Sequence, residues 1–300
     1  MDLSALADFN LVAAHGGFGK ASRLSGRPKA TLSRRVMDLE LSLGVRLLER
    51  GARSLRLTEE GQVLHDRTQG LLDDIVEAGE LVSAGQSGPR GHLRVSAPVL
   101  FSHTLLGRLA VGFAQRYPQV RLDITAEDRN VDLVEEGYDV VIRVNPRADA
   151  LLVGRCFARD DMLLVAPAAL PRPTAYSSGE IAEVPVVALA NRFDNGPWYY
   201  QDGDALGAVM PNVRLRLSSL IMIRDAVLAG AGAALIPRSL LLRDEQLAKL
   251  SIWGRMPDRP IELWALHASR RLVSRKVSAF TDYLCEAFPD QTLSHGFSVD

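Results

Sequence analysis

The sequence predicts a chain of two textures: a small, basic, mainly helical N-terminal unit and a long α/β remainder, joined by one long helix. Three observations predict it. Residues 18 to 36 hold two short helical patterns on either side of a turn, with charge of one sign; apolar residues recur every seven places from Leu57; and from Leu93 short apolar runs alternate with helical ones. With 47% apolar and 24% charged residues in 300, the chain can bury two or three separate cores.

The N-terminal unit opens with an amphipathic helix over residues 4 to 14, Leu6, Phe9 and Ala13 sharing one side. A second helix runs from about Gly19 to Leu24, Ser25 and Gly26 form the turn, and Pro28 stands at the start of the third helix, where its missing N–H costs nothing. In that third helix Leu32, Val36, Leu39 and Leu43 fall on one face, predicted to be buried, so Ala30, Thr31 and Arg34 point away. This is a helix-turn-helix. Gly44 ends the third helix, and two short strands around Gly51 to Ser54 form a wing.

Charge points to the partner. Residues 20 to 35 carry Lys20, Arg23, Arg27, Lys29, Arg34 and Arg35 with no acidic side chain. Residues 1 to 57 hold ten Lys/Arg against five Asp/Glu, whereas 58 to 90 hold two against seven, so the positive charge is local although the whole chain is at −1. Phosphate fits such a surface, and a basic, outward-facing first helical turn fits a major groove of double-stranded DNA. Lys29, Thr31 and Arg34 are the candidates for base contacts; Arg27, Ser33, Arg35, Arg53 and Arg56 complete the DNA-binding set, the last four on phosphate.

Thr58 is placed to cap a long helix reaching to about Ala84, with Glu59 and Glu60 in its first turn. Leu57, Leu64, Leu71 and Ala78 recur every seven residues, with Thr68, Ile75 and Val82 four places on, a seam that predicts a homodimer. The run Gly85-Gln-Ser-Gly-Pro-Arg-Gly breaks the helix. The expected division is therefore residues 1–58 for DNA, 59–90 for the linker helix and hinge, and 91–300 for an α/β part with a largely parallel sheet.

That part shows strands at Leu93 to Ala97, Arg121 to Ala126 and Asp139 to Val144, with helices at Phe101 to Tyr117 and Val131 to Glu136. A second block has strands at Met162 to Ala166, Pro185 to Ala190 and Ala233 to Ile236 and a helix over Ile221 to Ala229. A strand at Ile261 to His267 and a helix at Lys276 to Phe288 lead back. Two lobes follow, one of about 91–161 with 267–300, the other of about 162–266. A cleft between such lobes holds small ligands, and Ser96, Ser102, Arg143, Asn191, Arg192 and Ser218, at strand ends, are the candidate effector-binding residues.

Other chemistry finds no support. Cys156 and Cys285 are isolated, the six histidines are scattered, and no ligand spacing for a metal or pattern for an enzyme emerges, so neither cofactor nor metal is expected. Gly230-Ala-Gly232 follows a helix and precedes a strand, the reverse of a phosphate-binding loop. The N-terminus lacks the pattern of a secretory signal, which places the protein in the cytoplasm. The rival reading is a cytoplasmic small-molecule receptor or enzyme with an accessory basic domain.

Phe18, Ala21, Ser33, Leu47, Glu49, Arg50, Leu57, Thr58 and Gly61 stand in the spacing of LysR-type transcriptional regulators, and residues 131–143 and 228–237 resemble the co-inducer domain of that family. The resemblance covers the whole chain. It implies a winged helix-turn-helix, a linker-helix dimer, and a two-lobed α/β effector domain similar to periplasmic solute receptors. It also implies a dimer of dimers. The chain departs from the family at Ser25 and at Arg27-Pro28-Lys29, where Leu before the turn and Ser-Gln-Pro are common, so a base contact made by the usual Gln does not carry over.

Overall fold

The computed structural model describes residues 2–50, 55–82, 88–129, 131–133, 136–147, 149, 151–173, 181–190, 196–241, 247–268 and 273–293. Three helices form the N-terminal unit: α1 (Leu3–Ala14), α2 (Phe18–Ser25) and α3 (Lys29–Leu43). Their small core is Ala5, Leu6, Phe9, Val12, Ala21, Leu32, Val36 and Leu39, closed by Leu47 and Leu48. Leu43 departs from the expected buried stripe: it is the last residue of α3 and is 37% exposed. Strands β1 (Leu48–Arg50) and β2 (Leu55–Leu57) pair antiparallel as the base of the wing, whose tip lies outside the described residues.

Helix α4 (Glu59–Val82) starts where Thr58 Oγ1 accepts from Gly61 N–H at 3.0 Å. Gly61 is required there by close approach, because a Cβ would fall 2.0 Å from the Leu47 carbonyl oxygen. The expected seam divides. Leu57, Leu64 and Leu72 pack on the N-terminal core, whereas Val63, Leu71 and Ile75 are exposed. A polar clasp adds to the first group: Asn10 Nδ2 donates to Thr68 Oγ1 at 2.9 Å, and His65 Nδ1 lies 2.7 Å from Asn10 Oδ1.

The remainder is two lobes built on one continuous sheet. In the first, β3 (Gly91–Ala97) lies between β4 (Val120–Ala126) and β5 (Val140–Val144), all parallel. The helical run after β3 comprises α5 (Val99–Phe101), a π-helical turn at Ser102–Leu106 and α6 (Gly107–Arg116), where one regular helix was expected. Of the expected helix at Val131 to Glu136, residues 131–133 are not helical, and 134 and 135 lie outside the described residues. Glu136 N–H donates to Asp132 O and Tyr138 N–H to Leu133 O, both at 3.0 Å.

Strand β6 (Leu152–Pro167) crosses to the second lobe, made of β7 (Ala182–Leu189), β8 (Trp198–Asp202), β9 (Ala205–Leu217), α7 (Leu220–Leu228), β10 (Ala234–Pro237) and α8 (Arg238–Leu241). Strand β11 (Leu250–Ala268) returns, and α9 (Arg275–Ala287) packs on the first lobe. The β11 register against β6 breaks between Arg255 and Pro260, and Leu263 to Leu266 pair with β5. Those residues therefore belong to the first lobe's sheet, a correction to the expected end of the second lobe at 266.

The sheet is mixed rather than largely parallel. Each lobe keeps a parallel pairing, β3 with its neighbours and β7 with β9, while both crossing strands and the β8–β9 hairpin pair antiparallel. The reason is topological. A strand that leaves one sheet and continues into another can be met by its returning counterpart only head to tail.

Candidate nucleic-acid interface and interlobe cavity

The turn between α2 and α3 is set locally. Gly26 closes α2 at φ +68°, a conformation that glycine adopts at least cost. Ser22 Oγ donates to Arg27 O at 2.7 Å, and Pro28 holds the N-cap position of α3. Lys29, Ala30 and Arg34 are then exposed and Thr31 and Ser33 half-exposed on the face opposite Leu32 and Val36. No acidic side chain stands in the first turn of α3. The first-turn N–H groups and the basic side chains thus present positive charge together.

Arg27 and Arg35 do something the sequence did not suggest. Asp8 on α1 is fully buried, and both guanidiniums reach it, Arg27 in a short ion pair and Arg35 at 3.1 Å. They clamp the helix-turn-helix onto α1 while their own side chains stay 48% and 37% exposed. Arg56 is exposed on β2, opposite Glu49 in the register. Arg53 lies outside the described residues.

Between the lobes lies a cavity of about 380 Å³. It opens where the parallel strands end, at Pro98 and Val99 after β3, Val144 and Asn145 after β5, Leu189 at the end of β7, and Ser218 and Ser219 after β9. Carboxyl ends of parallel strands are where α/β sheets place ligands, because the connections there diverge. Asp160 and Met162 from β6 and Pro260, Ile261 and Leu263 from β11 line the crossing. Phe101, Leu189, Trp198 and Ile221 make much of the wall apolar.

The polar wall is partly committed to the fold. Asp128 accepts from Val99 N–H at 3.0 Å, capping the helical run after β3. Asp160 accepts from Asp161 N–H at 2.8 Å and Ser239 N–H at 3.2 Å, and burial pushes its carboxyl up. Ser219 Oγ caps α7 through Ile221 N–H at 3.3 Å. Arg216 and Arg259 are also among the lining residues.

Of the expected effector residues, Ser218 lines this cavity. Asn191 and Arg192 lie outside the described residues. Ser96 and Arg143 do not line it but pair with one another at 3.0 Å, and burial pushes the Arg143 guanidinium down. Alternation along β3 explains Ser96: its side chain is buried within the first lobe, and the cavity begins one residue beyond Ala97, at Pro98. Ser102 sits in the π-helical turn with its hydroxyl buried and off the cavity wall. Arg216, Arg259, Thr104 and Trp198 were missed. The period of two along β9 could have offered Arg216 together with Ser218.

No helix of the described residues is long and apolar enough to cross a membrane, and among them no group of side chains could hold a metal ion.

Comparison with known proteins agrees with this architecture. Residues 3–62 match the family described as "Bacterial regulatory helix-turn-helix protein, lysR family", and residues 86–289 match "LysR substrate binding domain". The chain is 32% identical to an HTH-type transcriptional regulator of Xanthomonas campestris pv. campestris, covering 94% of this chain and 84% of that one. It is 28% identical to the HTH-type transcriptional regulator DmlR of Escherichia coli, covering 98% of each. The solved structure of CrgA, a LysR-type regulator from Neisseria meningitidis, is similar at 25% identity with a TM-score of 0.54, covering 95% of this chain and 98% of that one. Regulators of this family are transcription factors rather than enzymes, so the enzyme alternative falls. With a helix-turn-helix at one end and a two-lobed effector-binding domain at the other, the chain belongs to the LysR-type DNA-binding transcriptional regulators.

Proposed function

We propose that α3 enters the major groove with Lys29, Thr31 and Arg34 at base edges, while Ser33 and the wing's Arg53 and Arg56 hold phosphates. Arg27 and Arg35 add positive charge at the rim but serve first as clamps. The observation that carries this reading is the two-faced α3, with Leu32 and Val36 fully buried and an all-basic set of charges on the opposite face of its first two turns. Two such units pair through the exposed stripe of α4 as a homodimer, and two dimers assemble on DNA in the cytoplasm. The division at residues 58 and 90 separates DNA reading, linkage and effector binding.

The interlobe cavity holds the effector, with Ser218 among its contacts. A ligand touching both lobes favours one arrangement of the crossing strands, and it shifts the DNA-bound state only by its differential affinity for the two arrangements, about 1–3 kcal/mol in ordinary cases. The test compares two substitutions on operator and random DNA across a salt series. Arg34→Ala relaxes sequence preference and costs about 1–3 kcal/mol, whereas Arg56→Ala weakens all sequences alike and lowers the salt slope by about one ion. Equal losses on operator and random DNA for Arg34→Ala overturn the assignment.

A further inference from the structure

Apart from glycines, Asn145 and Gln291 are the described residues with a positive φ, and Asn145, at +46°, lines the interlobe cavity directly after β5. That conformation strains most side chains, and asparagine less than most. Such an outlier persists where its neighbours hold it. Three hydrogen bonds do so here. Asn145 N–H donates to Glu262 O at 2.9 Å, Glu262 N–H donates to Asn145 Oδ1 at 2.8 Å, and Asn145 Nδ2 donates to Pro260 O at 2.7 Å. In a regular antiparallel ladder two opposed residues exchange a pair of backbone bonds. Val144 pairs with Leu263, so Asn145 stands opposite Glu262, and its side-chain oxygen takes the part that a backbone carbonyl would play.

The place of this contact gives it meaning. Between Arg255 and Pro260 the pairing of β11 with β6 is interrupted, so residues 256–259 have no partner in that register, and Pro260 is where pairing resumes. Asn145 therefore grips β11 at the first-lobe end of its unpaired run. Further bonds hold that end as well: Arg159 of β6 meets Glu262 at 3.1 Å, and Leu293 N–H donates to Arg159 O at 3.0 Å. On the second-lobe side Asp161 is met by Arg238 and Arg255. Hinges are short stretches at element ends that absorb dihedral change between bodies held rigid on either side. Asn145 is itself exposed to the cavity, and its carboxamide, with two N–H groups and two lone pairs, spends one of each on β11.

We propose that Asn145 is a positioning residue, the pin of an interlobe hinge at residues 256–259: its carboxamide bonds to Pro260 and Glu262 hold one angle between the lobes, and that angle is coupled to DNA binding. The coupling rests on the reading that the interlobe cavity governs DNA binding; the pin does not. Coupling is reciprocal, so DNA must act on the lobes as much as the lobes act on DNA. Duplex DNA can then stand in for the effector as the probe.

Asn145→Gly separates a pin from a mere turn, because glycine takes a positive φ without strain but makes neither side-chain bond. Asn145→Asp keeps an acceptor for Glu262 N–H and loses the donor to Pro260. The full chain carries spin labels on ketone-bearing unnatural residues at positions 111 and 222, where Val111 of α6 and Met222 of α7 are exposed on the two lobes. Cys156 and Cys285 stay native, and dilution with unlabelled chain isolates the distance within one protomer. The wild type is expected to give one narrow distance distribution. Asn145→Gly, at an unchanged thermal midpoint, should raise a second population about three- to tenfold, the scale of one exposed hydrogen bond, with Asn145→Asp between the two.

A distribution equally narrow in Asn145→Gly and the wild type overturns the pin and leaves Asn145 as a turn residue. The coupling is read separately, by adding duplexes that the wild-type chain has selected from a random pool. Saturating duplex should draw the Asn145→Gly distribution toward one of its two populations, since DNA prefers one arrangement. Proportions unmoved by DNA, beside a distribution that Asn145→Gly has broadened, keep the pin but overturn its coupling, and with it the cavity's control of DNA binding.

Discussion

The buried carboxylate of Asp8 makes a sharp test of what holds the helix-turn-helix together. It is fully buried and answered by two guanidiniums that stay 48% and 37% exposed. Removing one arginine leaves the carboxylate a partner, so Arg27→Ala or Arg35→Ala alone should cost about 1–2 kcal/mol, the scale of one hydrogen bond to a charged group. Removing both strands a buried charge, and the cost should rise to about 3–5 kcal/mol, more than the two single losses together. Asp8→Asn in the double-mutant background removes the stranded charge and should recover most of that stability without restoring DNA affinity. Amide exchange of α1 and α3 in the full chain reports the local opening energy directly. Strictly additive losses, or protection unchanged in the double mutant, would refute the clamp and return both arginines to the DNA surface alone.

Two further outcomes are expected. Leu71→Asp with Ile75→Asp should lower the oligomeric state in sedimentation and weaken operator binding, because both side chains lie exposed on α4; the wild-type state and affinity would count against pairing through that helix. Burial lowers the pKa of His65 in its clasp below the ordinary 6.5 and so favours the neutral ring. Its contribution is therefore complete above about pH 6.5 and is lost as pH falls below that, since the unfolded chain binds the proton first. Amide protection along the first half of α4 should drop over that range in the wild type and stay flatter in His65→Gln.

Legibility followed the range of the forces involved. The helix-turn-helix is written locally: Gly26 in the turn, Pro28 before α3 and the stripe Leu32, Val36 and Leu39 each act within one or two helical turns. Asp8 could not be read that way. An acidic residue between Leu6 and Phe9 looks like solvent-facing punctuation, and only the tertiary approach of residues 19 and 27 places along reveals its burial. The parallel strands β3, β4 and β5 were also visible, as short β-branched and apolar runs, and the wing from the segment around Gly51 to Ser54. The β8–β9 hairpin was missed although Asp202-Gly203 is a strong turn signal, with Gly203 at φ +56°.

The crossing strands show why the cavity was harder than the fold. In β6 the pair Asp160-Asp161 precedes the apolar run of residues 162–167, and in β11 the run Arg255-Met-Pro-Asp-Arg-Pro260 separates two more apolar stretches, so each strand reads in sequence as a half. Both interruptions fall at the passage between lobes, where the strand has left one core and not yet entered the other. Polar residues are satisfied there by the opposite strand and by α8: Arg255 of β11 and Arg238 of α8 both meet Asp161, at 3.7 and 3.2 Å, while Asp160 turns to the Ser239 N–H at the start of α8. The same passage forms the floor of the cavity, through Asp160, Met162, Pro260 and Ile261. Some of the residues that break the strand pattern, Asp160, Arg259 and Pro260, therefore line the cavity, and a search for regular elements passes over them for that reason.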